Sequence, residues 1–308
     1  MKSIFISRNK YGESCLEELI KVGHTPNLVI SLKDKYKEVI SDFGDFTELT
    51  SKEHIHHCKI DDIRFYKNFK TLANPEFLRG ILTKSLIKSY NPDVCFLFGF
   101  GEIIKEDLLN IPSKGWIGTH PTLLPKYRGG APLVWPIIKG HEKSGVTLML
   151  LNKGLDTGDI LFQKEYPIKI EDNAQTIYEK MTDAYKSLMK PLIKSLDKDN
   201  LPRKKQVEGQ FIEQWGPRNP EDGELQFNLP SDNRTRNRFI YDQIRAVSGV
   251  YPSAFIEVLS LKDYERTKEL IPSLKENINT LFGKKVYFNK AEYSIKEDKI
   301  NILNYNIQ

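Results

Sequence analysis

Two side chains suited to moving protons stand out, His120 and Asp156, 36 positions apart. His120 precedes Pro121, which biases its backbone toward an extended conformation. Two further breakers, Pro125 and the pair Gly129-Gly130, lie between His120 and Pro132. The loop they shape carries Lys126, Tyr127 and Arg128 at its tip, residue types that suit an anionic or polar ligand. Asp156 lies in the polar, glycine-bearing run Asn152–Asp159. A carboxylate beside a histidine fixes its tautomer and makes it a better general base. Spacing alone does not bring the pair together. It leaves open a second reading, in which His120 is a satisfied loop histidine and Asp156 an ordinary turn residue.

A second cluster, Glu53-His54-Ile55-His56-His57-Cys58, has the residue types of a metal site. Neighbouring ligands on one short segment cannot close a tetrahedral site by themselves, and no second half is evident. The expectation is a solvated loop and no metal. His24 and His141 carry no signal, and Phe98–Gly101 lacks the third glycine of a dinucleotide fingerprint.

The elements that would position these residues alternate in type. Ser3–Ser7, Asn27–Leu32 and Val94–Phe98 read as buried strands, and Glu13–Val22 as a helix between the first two. That alternation implies crossover units and a parallel sheet, with chemistry beyond the carboxyl ends of the strands. Gly145–Leu151 is a strand candidate leading into the Asp156 loop, and Ile160–Gln163 follows it as another. Ala174–Met189 has helical spacing; Pro191 and the polar run Asp197–Lys205 suggest a linker ending near residue 205. Beyond it, Arg234–Val247 reads as a helix, and Ala254–Val258, Lys285–Tyr293 and Ile300–Leu303 as strands. Lys262–Asn279 is a charged, helix-prone segment between those strands, read as a solvated insertion. The expected architecture is α/β: a Rossmann-like, mostly parallel N-terminal domain over residues 1–205 and a smaller, mostly β C-terminal domain over 206–308.

The run His120-Pro121-Thr122-Leu123-Leu124-Pro125-Lys126-Tyr127-Arg128-Gly129, followed by Leu155-Asp156-Thr157-Gly158-Asp159-Ile160, resembles the folate-dependent formyltransferases. This family includes methionyl-tRNA, glycinamide ribonucleotide and nucleotide-sugar N-formyltransferases. Arg218-Asn219-Pro220-Glu221-Asp222-Gly223, Tyr241–Val247 and Lys285–Tyr293 resemble parts of its C-terminal domain. The resemblance implies N10-formyl-tetrahydrofolate as co-substrate and His120 as base or proton relay, oriented by Asp156. It implies a pterin pocket lined by Phe98-Gly99-Phe100-Gly101-Glu102-Ile103-Ile104 and by the chain around Leu151, Leu155 and Asp156. Plain core packing is the alternative for Phe98–Ile104. Thr122, Lys126, Tyr127, Arg128 and Gly129 would face the acceptor. For Arg128 a brace inside its own loop is the alternative. The family's catalytic asparagine, which donates to the developing oxyanion, falls on Gly118. Thr119, Thr122, a backbone N–H or Asn152 would have to substitute, with Thr119 taken as the catalytic candidate; the remaining alternative is a weakened catalyst.

Composition bounds the partner. The 308 residues are 39% hydrophobic and 28% charged, with a net charge of +5. From Leu201 to Gln308 there are 17 Lys and Arg against 15 Asp and Glu, without the local excess of a nucleic-acid surface. The expected acceptor is therefore a nucleotide-linked amino sugar, with tRNA the lesser alternative and a binding protein without turnover the third. Three scattered cysteines argue for a reducing compartment. No apolar run reaches the roughly 18 residues of a membrane span. The cytoplasm is expected, and a homodimer by analogy with sugar-modifying members of the family.

Overall fold

The structure, a computed structural model, describes residues 1–60, 84–100, 104, 106–207, 213–228, 230, 232–249 and 251–308. Its strands are β1 (Ser3–Ser7), β2 (Leu28–Leu32), β3 (His56–Ile60), β4 (Val94–Phe98), β5 (Trp116–His120), β6 (Arg128–Gly129), β7 (Lys143–Leu150), β8 (Ile160–Pro167), β9 (Gln214–Trp215), β10 (Ala254–Glu257), β11 (Lys285–Ser294) and β12 (Lys299–Ile307). Seven of them form one sheet in the order β3-β2-β1-β4-β5-β7-β8. The pairs from β3 through β5 are parallel, and β7 joins β5 antiparallel. Every residue of β1, β2 and β4 is buried, as expected of parallel strands covered on both faces. The strand order reverses beside β1, so the carboxyl ends of β1, β4 and β5 form the crevice where such sheets bind ligands.

The chain divides into two compact units. The first comprises Met1–Arg128, Gly145–Glu165 and Thr182–Glu213 and contains the crevice. The second comprises Gly129–Ser144, Tyr166–Met181 and Gln214–Gln308. Within the first, the helix Lys10–Lys21 starts on Asn9, whose side chain accepts from the Gly12 N–H, and buries Tyr11, Cys15, Leu16 and Leu19.

Two local expectations are corrected. The Glu53–Cys58 segment is not a loop throughout, because His56–Ile60 forms β3 and pairs with β2. There His57 meets the Ser31 hydroxyl at 2.7 Å and Thr50 Oγ1 at 3.2 Å, while His56 Nδ1 lies 2.9 Å from the Tyr90 hydroxyl. Among the described residues no group of three His, Cys, Asp or Glu is placed to hold a metal ion. Secondly, the helix beginning at Ala174 runs through Pro191 to Asp197. Leu188, Met189, Leu192, Ile193 and Leu196 continue its buried stripe across the proline. Burying aliphatic side chains gains roughly 1.5–3 kcal/mol each, enough to offset about 3 kcal/mol for an interior proline. Among the described residues no helix is long and apolar enough to cross a membrane.

The second unit holds the antiparallel sheet β10-β11-β12 and the helix Arg236–Val247, capped by Thr235. The charged segment before β11 forms the helix Leu261–Leu270, and Leu270, Ile271 and Leu274 are buried, so the insertion contributes to the core. Asp242, fully buried, meets Arg234 at 2.7 Å, Arg238 at 3.0 Å and Arg245 at 2.6 Å. Arg245 Nη1 also donates to the carbonyls of Lys169 and Asp172. Removing the carboxylate would leave the buried Arg245 guanidinium without its carboxylate partner. Asp242→Ala is expected to cost about 3–5 kcal/mol in urea unfolding; a loss under about 1 kcal/mol would show that the cluster does not hold this unit together.

Candidate active site

The antiparallel register of β5 against β7 pairs Ile117 with Leu150 and His120 with Thr147, bringing the loop after β7 alongside β5. There His120 Nδ1 lies 3.4 Å from Asp156 Oδ2, with side-chain exposures of 6% and 13%. That is an ion-pair distance, longer than a well-formed N–H···O hydrogen bond. The pair expected from the sequence is therefore brought together. Asp156 reaches His120 from a left-handed backbone, with φ +52°.

The other ring nitrogen, His120 Nε2, lies 3.1 Å from the Tyr127 carbonyl oxygen. The loop that presents this carbonyl is tied down from several sides. The Thr122 hydroxyl is 3.1 Å from the Lys126 carbonyl and 3.2 Å from that of Tyr127, either of which it can donate to. Thr147 Oγ1 donates to the Thr122 carbonyl at 2.6 Å and accepts from the Leu124 N–H. Gln163 Nε2 donates to the Leu124 carbonyl at 2.8 Å. At the tip, Lys126 is exposed and Tyr127 has φ +61°. Burial, and then the Glu213 carboxylate, raise the Tyr127 hydroxyl above its ordinary value. Gly129, at the start of the second unit, has φ +110°, and a Cβ there would meet the Trp215 carbonyl oxygen at 2.1 Å.

The expected pterin wall is mixed. Phe98 is fully buried with its ring against Phe5, so this residue is core. Phe100 and Leu151 are partly buried against the cluster that includes the buried Ile104. Leu155 is exposed. Gly101, Glu102 and Ile103 lie outside the described residues. The Gly99 carbonyl accepts from Arg8 Nε at 2.9 Å.

Gly118 and its neighbours bear on the oxyanion. Thr119 alternates to the face of β5 opposite His120. Its hydroxyl is 2.9 Å from the Tyr11 hydroxyl and 3.4 Å from the Gly99 N–H. The structure therefore does not bring Thr119 to His120. Asn152 is exposed, and its Oδ1 accepts from the Gly154 N–H and the Thr157 hydroxyl, bonds that engage the acceptor end of its amide and not the NH2 an oxyanion would need. On the His120 face, a Cβ at 118 would lie 2.4 Å from Leu151 Cδ2 and 3.0 Å from its Cγ, so the Leu151 side chain would have to shift to admit it. Leu151 is thus fitted to a glycine.

Gln206 carries no signal in the sequence: it directly follows the polar run Asp197–Lys205 that reads as a linker. The stretch is instead anchored to β8 by reciprocal bonds between Ile160 and Lys204, at 2.8 and 2.9 Å. Gln206 Oε1 accepts from Arg128 Nη2 at 2.6 Å and Nε at 3.2 Å. Its amide donates to the Asp156 carbonyl at 2.9 Å and that of Gly158 at 2.7 Å. Arg128 does brace the site internally, through the Gln206 amide.

Residues 1–193 match the formyl transferase family model. The chain belongs to the formyl transferase family. It is 36% identical over 250 residues to the methionyl-tRNA formyltransferase of Thermodesulfovibrio yellowstonii, covering 81% of this chain and 73% of that protein. It is 32% identical over 208 residues to the methionyl-tRNA formyltransferase of Caldanaerobacter subterraneus, covering 67% of this chain and 63% of that protein. Among solved structures, the methionyl-tRNA formyltransferase of Clostridium thermocellum aligns with TM-score 0.56 and 21% identity, over 100% of this chain and 98% of that one. The N-formyltransferase of Helicobacter canadensis, in complex with folinic acid and dTDP-3-aminofucose, aligns with TM-score 0.53 and 22% identity, over 80% of this chain and 79% of that one. At those identities the structural likeness establishes the shared fold.

The fit of Leu151 to Gly118 has a consequence for stability. Gly118→Ala is expected to cost about 1–3 kcal/mol by overpacking. Adding Leu151→Ala should recover part of that cost, relative to Leu151→Ala alone, in a urea-unfolding double-mutant cycle. Additive losses would mean that the two positions are independent.

Proposed function

We propose that this chain moves a formyl group from N10-formyl-tetrahydrofolate to the amine of a nucleotide-linked amino sugar. The observation that carries the transfer is the pairing of buried His120 with the partly buried Asp156 at 3.4 Å, beside the carboxyl ends of the sheet. The co-substrate fits what stands there: the partly buried Phe100 and Leu151, backed by the buried Ile104, are apolar side chains of the kind a flat heteroaromatic ring needs. When bound, it supplies the formyl carbon.

When the ring proton sits on Nδ1, facing Asp156, Nε2 is left to take a proton. In the structure Nε2 faces the Tyr127 carbonyl, which can only accept. A ring nitrogen at 3.1 Å from a carbonyl oxygen donates to it, so this contact belongs to a ring with its proton on Nε2. An acceptor amine that donates to Nε2 replaces this contact and passes its proton to the ring. Gly118 offers no side-chain donor to the formyl oxygen, a loss that elsewhere costs about 10²–10³ in rate. The Thr119 hydroxyl is engaged with Tyr11, and we assign this donation to a main-chain N–H.

The nearly even charge of residues 201–308 supports a small acceptor over tRNA. The second reading, methionyl-tRNA, is favoured by the names of the sequence relatives. We place the reaction in the cytoplasm, in keeping with three free cysteines. The test is tetrahydrofolate release on mixing protein and N10-formyl-tetrahydrofolate with a panel of nucleotide-linked amino sugars or with methionyl-tRNA. Release with a sugar and not the tRNA is expected, with Thr119→Val within about threefold of the parent, well short of the loss of an oxyanion donor. Release with the tRNA alone would overturn the acceptor; no release with any acceptor would overturn catalysis.

A further inference from the structure

We propose that Gln206 is a positioning residue for the reaction. It holds the main chain of Asp156 in its left-handed conformation so that the carboxylate reaches His120, and Arg128 serves the same end by orienting the Gln206 amide. This inference rests on the proposed proton-handling role of the His120–Asp156 pair.

The argument begins with donors and acceptors. A guanidinium can only donate, and the Asp156 and Gly158 carbonyls can only accept. A side chain bridging them must accept on one side and donate twice on the other, and a primary amide does both. The network therefore fixes which end of the amide is oxygen: Oε1 faces Arg128 and Nε2 faces the carbonyls. A glutamate in the same place would satisfy Arg128 and set an oxygen against two carbonyl oxygens.

The loop needs this support. A left-handed backbone costs an L-residue roughly 1–2 kcal/mol, and Asp156 has φ +52°. Two residues on, a Cβ at Gly158 would lie 1.6 Å from the Leu150 carbonyl oxygen, so the loop closes tightly over the end of β7. The Leu150 N–H donates to the Asp159 carbonyl at 2.9 Å and fixes the far side of the turn. Between these ties, the Gln206 amide meets the carbonyl of Asp156 itself. Gln206 is in turn placed by the Ile160–Lys204 bonds two residues earlier. Arg128 thus has its Nε–Nη2 edge committed to Gln206, which links the loop after β5 to the loop after β7.

The test uses the full chain and two readouts. The first is the NMR signature of the His120 ring, its ¹⁵N and ring-proton signals, with Asp156→Asn as the reference for loss of the facing carboxylate. The second is tetrahydrofolate release with the acceptor that supports turnover. Gln206→Glu is expected to move the His120 signals in the direction that Asp156→Asn moves them. It should lower kcat by about 10–100-fold, the range for groups that orient others, with KM within about twofold. Arg128→Met, which leaves Gln206 in place but releases its orientation, should give a smaller change of the same kind. If Gln206→Glu does not fold, Arg128→Met decides by the same readouts. Unmoved His120 signals and unchanged kcat in a folded variant would overturn the proposal. Moved signals in a protein without turnover on any acceptor would uphold the positioning role and overturn the functional reading.

Discussion

The site depends on the pairing of β5 with β7. His120 and Asp156 are far apart in sequence, and the antiparallel register that sets His120 against Thr147 and Ile117 against Leu150 closes the distance. A slip of one residue would turn His120 to the opposite face of the sheet, because side chains alternate along a strand. Register here is secured by burial. Ile117, Val146 and Leu148 are inaccessible, and the Trp116 carbonyl takes the Leu151 N–H at 2.8 Å just past the end of β7.

From that pairing follows an arrangement of two loops that present groups to one another. The loop after β5 is fixed by hydroxyls and an amide, Thr122, Thr147 and Gln163, which leave the Tyr127 carbonyl against His120 Nε2. The loop after β7 delivers Asp156 from a left-handed residue to His120 Nδ1. Next to His120 on the same face of β5, the Leu151 side chain occupies space that a Cβ at Gly118 would enter.

The sheet was legible from the sequence because its strands are continuous apolar runs: Ser3–Ser7 and Val94–Phe98 form with the expected bounds. The helix from Ala174 outran its expected end, since a proline signals a break locally while burial on either side of it is a tertiary term. The histidines near residue 56 read as a loop because charge and polarity hide an edge strand that is only partly covered. His120 and Asp156 were legible as residue types with motif context, but their meeting was not, because it depends on a register. Thr119 shows the same limit: its place beside His120 in sequence puts it on the other face of the strand. Gln206 was not legible at all, since an uncharged amide in a polar stretch acquires meaning only from Arg128 and two carbonyls brought to it by the fold.

The most direct measurement of the central claim, that His120 and Asp156 act as one unit, is a double-mutant cycle on kcat/KM with His120→Ala and Asp156→Asn. Groups that work through one another lose activity non-additively. The double variant is predicted to be no slower than His120→Ala alone within about threefold, since Asp156 acts only by way of the ring. Full multiplication of the two single losses would contradict the pairing on which this account of the site is built.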